Sequence, residues 1–197
     1  SFLELEFETH FTRFFMPTVR GSQKGSKKRY AGLVDTGDSE RKLVFKGLES
    51  VRSDWTPLAK EFQQDLYLKV FHEEPIADFV RSVVQRVLEG DLDEKLTLRR
   101  RVRRQLSDYQ KNVPPHVRAA RLADQERQKR GLKPAFDKGG WIEYLMTVNG
   151  PEPLQYLSSA IDYNFYIDRQ LAPIADAILS FQQTSLAELI DKQLDLF

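Results

Sequence analysis

The stretch from Lys24 to Trp55, KGSKKRYAGLVDTGDSERKLVFKGLESVRSDW, decides how the rest of the chain is read. Two short runs within it, Arg29–Val34 and Lys42–Lys46, are built from β-branched, aromatic and aliphatic residues. Asp35-Thr36-Gly37-Asp38-Ser39 lies between them with the chemistry of a turn, so the pattern predicts a β-hairpin. Lys24, Lys27, Lys28 and Arg29 precede it, Lys46 and Arg52 follow it, and Tyr30 stands directly after the first cluster. Cations on a rigid ribbon suit a phosphate backbone. The plain alternative is a solvated basic turn.

Upstream, Leu3-Glu4-Leu5-Glu6-Phe7-Glu8 alternates with period 2, which predicts a strand with Leu3, Leu5 and Phe7 inward. Phe11–Val19 is a second apolar run containing Pro17. With the hairpin these make one small antiparallel sheet. The chain opens at Ser1, without Met and inside a predicted strand, and the expectation is a piece of a longer protein.

Downstream, Thr56-Pro57 is a helix start, with Thr56 as N-cap. Ala59, Phe62, Leu66 and Val70 then recur at helical spacing. Pro75 opens a second helix whose apolar side is Ile76, Phe79, Val80, Val83, Val87 and Leu88, and Gly90 ends it. Lys95–Arg104 fits a strand or a helix equally. A polar helix is expected from His116 to Arg130, stopped by Gly131, and a strand over Trp141–Val148, ended by Asn149-Gly150-Pro151. A helix over Tyr163–Gln182 is expected to kink at Pro173. Ser185 and Glu188 form a capping box for one last turn.

The 197 residues carry a net charge of +1. Residues 151–197 hold seven acids and two bases, a net of −5, which leaves +6 on the first 150 residues. The basic part is the polyanion face. Cysteine is absent, which excludes disulfides and thiolate metal sites and fits a reducing compartment. No apolar run approaches the ~20 residues of a membrane span, and no signal peptide is expected from the residues given. His10, His72 and His116 are too scattered to suggest a metal site, and His116 after two prolines is read as a packing or capping residue.

Lys27-Lys28-Arg29-Tyr30-Ala31-Gly32, followed by Lys46-Gly47-Leu48-Glu49-Ser50-Val51-Arg52-Ser53-Asp54, resembles family B DNA polymerases. The first piece is similar to the family's KKRY motif in the palm, the second to its segment at the palm–thumb junction. Later landmarks resemble the family's thumb: Pro115-His116-Val117 with Ala119-Ala120, Ile142 to Tyr144, and Ile161-Asp162 with Tyr166 and Gln170-Leu171-Ala172-Pro173. The likeness runs along essentially the whole chain and points to the C-terminal palm and thumb of a bacterial member. It implies a DNA-directed DNA polymerase as the parent, cytoplasmic and associated with the nucleoid.

The resemblance implies an α+β fold with palm remnant 1–54, mainly helical thumb 55–192 and tail 193–197. It implies that Lys27, Lys28 and Tyr30 lie beside the primer, with Lys28 in the minor groove, where every base pair offers an acceptor. Arg29, Lys46 and Arg52 join the DNA-binding set. Of the dense run Arg99, Arg100, Arg101, Arg103 and Arg104, about half can face DNA in either geometry, and Arg99, Arg101 and Arg103 are the candidates. The tail Gln193-Leu194-Asp195-Leu196-Phe197 resembles the peptide that docks on the bacterial sliding clamp, with Gln193 at a groove rim and Leu194, Leu196 and Phe197 in apolar pockets. Folding of that tail onto the core is the alternative.

In the complete polymerase two carboxylates hold Mg2+. The family's DTDS turn and DxxSLYP segment are absent here, so the chain alone is expected to bind no metal or cofactor and to be inactive. Glu8 matches an active-site-proximal carboxylate at most. Asp35-Thr36-Gly37-Asp38-Ser39 is read as a hairpin turn and Asp91-Leu92-Asp93 as a solvated loop. Partners are primer–template DNA, the clamp and the rest of the polymerase chain, with no membrane. Two rivals remain: a stand-alone metal-dependent nuclease using Asp35, Asp38, Asp91 or Asp93, and a clamp-binding adaptor without catalysis.

Overall fold

The computed structural model describes residues 9–17, 28–35, 41–48 and 55–194. The expected strand at Leu3–Glu8, the 36–40 turn, Lys27 and Arg52 lie outside the described residues, as do residues 195–197. The fold is α+β, with two three-stranded antiparallel sheets among helices.

The first sheet has the order β1 (Phe11–Phe15), β2 (Tyr30–Asp35) and β3 (Arg41–Lys46). Tyr30 stands opposite Lys46, and Asp35 opposite Arg41, as the hairpin reading requires. A register shift between Phe11 and Arg13 inserts Thr12 as a bulge, and the Thr12 hydroxyl donates to the Leu33 carbonyl at 2.9 Å. The shift breaks period-2 alternation, so Phe11 and Phe14 join Tyr30 in one cluster, with ring centres 5.2 to 5.8 Å apart. Phe15 turns the other way, onto Tyr67.

Helix α1 (Pro57–Phe71) starts as its sequence dictates: Thr56 Oγ1 accepts the Ala59 amide at 3.1 Å, with Pro57 in the first turn. Thr56 is itself buried, and its amide and hydroxyl both donate to Gln170 Oε1, at 2.9 and 2.7 Å. At the far end Arg13 of β1 donates to the Phe71 carbonyl and to Glu73, setting a cation at the helix C-terminus. Phe62, Leu66 and Tyr67 form the centre of the core, and Phe45 of β3 packs on Tyr67.

Helix α2 (Ala77–Leu88) begins two residues after Pro75 and ends at Gly90, which adopts φ +82°. Val80, Val83, Val84 and Val87 are buried, whereas Leu88, expected on the apolar side, is half exposed. Asp91-Leu92-Asp93 is not the solvated loop expected of it. Leu92 is buried, and Asp93 accepts from the Tyr163 hydroxyl at 3.2 Å.

The second sheet, β4 (Leu98–Val102), β5 (Gly140–Thr147) and β6 (Gly150–Pro153), lies within a half of the chain that is otherwise mainly helical. Asn149-Gly150-Pro151 ends β5 but also opens β6. Prolines are tolerated there because β6 is an edge strand. Helix α3 (Pro115–Lys129) packs on this sheet through Val117, Ala119, Ala120 and Ala123.

The chain closes through α4 (Tyr163–Tyr166), a π-helical turn (Ile167–Leu171) and α5 (Ala172–Leu179). The expected kink at Pro173 is thus a π-turn just before it, with the Ala172 amide bonding back to Ile167. Widening the turn relieves the clash of a proline ring with the carbonyl four residues earlier. The last element is longer than the single turn expected: α6 runs Leu186–Leu194, so the backbone of Gln193 and Leu194 is helical. Ser185 accepts the Glu188 amide at 3.3 Å, but the Glu188 carboxylate accepts from Thr184 instead of closing the capping box. Asp176 accepts the Leu186 amide at 2.7 Å and supplies a further cap.

Candidate nucleic-acid interface

The arginine run is a strand, and that geometry sorts it. Successive side chains alternate across a sheet. Leu98 and Val102 are buried, Arg100 is half-buried beside them, and Arg99 and Arg101 are exposed on the opposite face. Antiparallel pairing sets Arg99 opposite Glu143 and Arg101 opposite Trp141 of β5. The Arg99 guanidinium lies 4.7 Å from the centre of the Trp141 ring, and its Nε 3.8 Å from a Glu143 oxygen.

β4 is an edge of its sheet, so charges from both its faces converge around one rim. They line an open cleft of about 490 Å³ with Arg99, Arg100, Arg101 and Arg103 on one side. Tyr109, His116 and Trp141 complete the wall. The Tyr109 hydroxyl accepts the Arg103 amide at 3.3 Å, and Arg104 stacks 5.5 Å from the Tyr109 ring centre. Burial and, after it, the positive Arg100 hold the His116 imidazole below its ordinary value of 6.5. His116 caps nothing: Pro114 is the N-cap of α3, and no side chain caps that end. Gly139 lets the chain entering β5 approach the end of β4 closely. A Cβ on it would lie 2.6 Å from the Val102 carbonyl, and its φ is +89°.

A second basic group sits on the hairpin. Tyr30 and the exposed Lys46 occupy opposite positions of β2 and β3. Lys28 is exposed, and its carbonyl packs on Gly47, where a Cβ would come within 2.4 Å. Tyr30 is half-buried, its ring braced by Phe11 and Phe14. Arg29 is half-buried.

The structure therefore gathers Arg99, Arg101 and Arg103 in one cleft, and Tyr30 with Lys46 on one hairpin. Sequence reasoning missed His116, Tyr109 and Trp141 as cleft residues. A usable signal existed: in Trp141-Ile142-Glu143-Tyr144 the inward positions are Ile142 and Tyr144, which turns Trp141 outward.

Among the described residues no three His, Cys, Asp or Glu side chains are grouped to hold a metal. The Mg2+ implied by the resemblance has no donor set among them. No helix among the described residues is long and apolar enough to cross a membrane.

The family model described as DNA polymerase family B matches residues 1–190. The chain is 57% identical over 197 residues, its full length, to DNA polymerase II of Escherichia coli (strain K12), of which it covers 25%. It is 33% identical over 168 residues to DNA polymerase 2 of Aeropyrum pernix, a match covering 79% of this chain and 19% of that protein. The structure of the family B DNA polymerase from the hyperthermophilic archaeon Pyrobaculum calidifontis superposes with a TM-score of 0.63, over 88% of this chain and 22% of that one, at 24% identity. That likeness speaks for the fold. The chain spans a quarter or less of the length of these relatives. With a family match over nearly every residue and the arginine-lined sheet edge within it, the chain belongs to DNA polymerase family B.

Proposed function

We propose that this chain is the duplex-holding palm-and-thumb part of a DNA-directed DNA polymerase. The observation that carries the reading is the outward alternation of Arg99 and Arg101 on an edge strand, continued by Arg103 into one open cleft. A cationic rim of this kind neutralises backbone phosphates without reading sequence. Lys27, Lys28 and Tyr30 contact the primer side, with Lys28 in the minor groove, and Arg29, Lys46 and Arg52 add positive charge around them. Tyr30 suits a fixed contact because two aromatic rings brace it.

The tail residues Gln193, Leu194, Leu196 and Phe197 dock on the sliding clamp, and catalytic carboxylates come from the rest of the polymerase. Support for the clamp contact is the sequence pattern alone. A short peptide of this type binds at around micromolar strength, roughly −8 kcal/mol. The nuclease reading has a specific observation against it: Asp93 is engaged by Tyr163, and Asp91 is exposed beside it with no third acidic ligand grouped among the described residues.

A fluorescence-anisotropy titration of the chain with labelled primer–template duplex tests the reading. Binding that weakens steeply between about 50 and 200 mM salt supports it. No binding, or binding indifferent to salt, contradicts it.

A further inference from the structure

The cleft holds one feature that gripping a duplex does not need. Trp141 is 53% exposed at the start of β5, and Arg101 stands directly opposite it. Arg99 covers part of the indole and fixes its orientation, while the rest of the ring stays open to solvent. Phosphates of a duplex require only cations, and paired bases offer a protein their edges, not their faces. A flat ring held beside several cations is instead a platform for a base that has left its pair.

We infer that the β4 cleft takes one unpaired nucleotide, with its base stacked on Trp141 and its phosphate among Arg101, Arg103 and His116. The inference rests on the DNA-binding reading above and names a substrate form for the same site. The cleft's volume of about 490 Å³ falls in the range of small-ligand sites and accommodates a single nucleotide. Glu143 sets the polarity of the site. Its carboxylate lies 3.8 Å from Arg99 and repels a phosphate at that end, leaving Arg99 to the base. Tyr109 stays a wall, since its hydroxyl holds the Arg103 amide and Arg104 lies over its ring.

The test compares the 197-residue chain with its Trp141→Ala and Trp141→Phe variants on two probes: an oligothymidylate of about six nucleotides and a blunt duplex of about twelve base pairs. Trp55→Phe removes the other tryptophan, so that emission reports Trp141 alone. The expected result is quenching of Trp141 by the single strand and an approximately tenfold loss of single-strand affinity in Trp141→Ala. Trp141→Phe falls between, and in both variants the loss on the duplex is several-fold smaller than the loss on the single strand. Absence of quenching, equal losses on both probes, or no loss on either overturns the inference. If the duplex binds with its salt response and the single strand does not, only this inference falls. If neither probe binds, the duplex-holding reading falls with it.

Discussion

His116, in the first turn of α3, shares one cleft with Arg100 of β4, and burial together with that guanidinium depresses its pKa below the ordinary 6.5. The free protein therefore keeps this imidazole neutral at neutral pH. A phosphate entering the cleft brings negative charge beside the imidazole and raises the pKa again, so binding takes up a proton. DNA affinity should rise by about threefold as pH falls from about 7.5 to about 5.5. His116→Gln should flatten that dependence while leaving affinity at the upper pH nearly unchanged. Anisotropy titrations across the pH series check this; an unchanged slope in the variant rules the contact out.

Gly32 lies beneath Phe11, where an added Cβ would come within 2.1 Å of the ring. Gly32→Ala must push Phe11 aside, and with it the cluster that braces Tyr30. We expect a loss of about 1–3 kcal/mol in urea unfolding. Adding Phe11→Ala to that variant should cost less than the two single changes together, because they share one contact.

Glu152 is buried at 7% exposure in β6 and pins the 154–161 connection. It accepts the Ser158 and Ser159 amides at 2.7 and 3.2 Å, and both serine hydroxyls. Burial pushes the carboxyl up, but the hydrogen bonds from Ser159 and Ser158 outweigh it and hold the pKa below the ordinary 4.5. A carboxyl depressed in the folded state adds stability above its unfolded pKa, and that stability is lost as pH falls through the folded value. Urea midpoints should therefore drop below about pH 4.5, and Glu152→Gln should remove this part of the acid sensitivity. At neutral pH the substitution should cost about 1–3 kcal/mol. An acid profile identical to that of the parent would contradict the assignment.

Much of the fold was legible where the determinant is local. Thr56-Pro57 announces α1 because a cap and its helix are neighbours in sequence. The hairpin and the stop of α3 before Gly131, which adopts φ +71°, follow from turn and glycine chemistry in the same way. The arginine run was ambiguous because its conformation is decided by pairing with β5, some forty residues on. β6 escaped because its two prolines argue against a strand, and only its place at an edge permits them. Asp124 gave no signal at all: its carboxylate accepts the Ala135 amide at 2.6 Å and the Phe136 amide at 3.1 Å, contacts that exist only once α3 has folded beside that loop. For the site, the arginines were visible, but His116, Tyr109 and Trp141 join them only through the sheet and α3.

The most direct test replaces Arg99, Arg101 and Arg103 together with Ala and measures duplex affinity against salt concentration. All three are exposed side chains on or just beyond β4, so the urea midpoint should stay close to that of the parent chain. With Arg101 and Arg103 each neutralising one phosphate, and Arg99 sharing its charge with Glu143, the slope of log affinity against log salt should become shallower by about 2 units. A slope and an affinity equal to those of the parent chain would show that the β4 rim does not hold DNA.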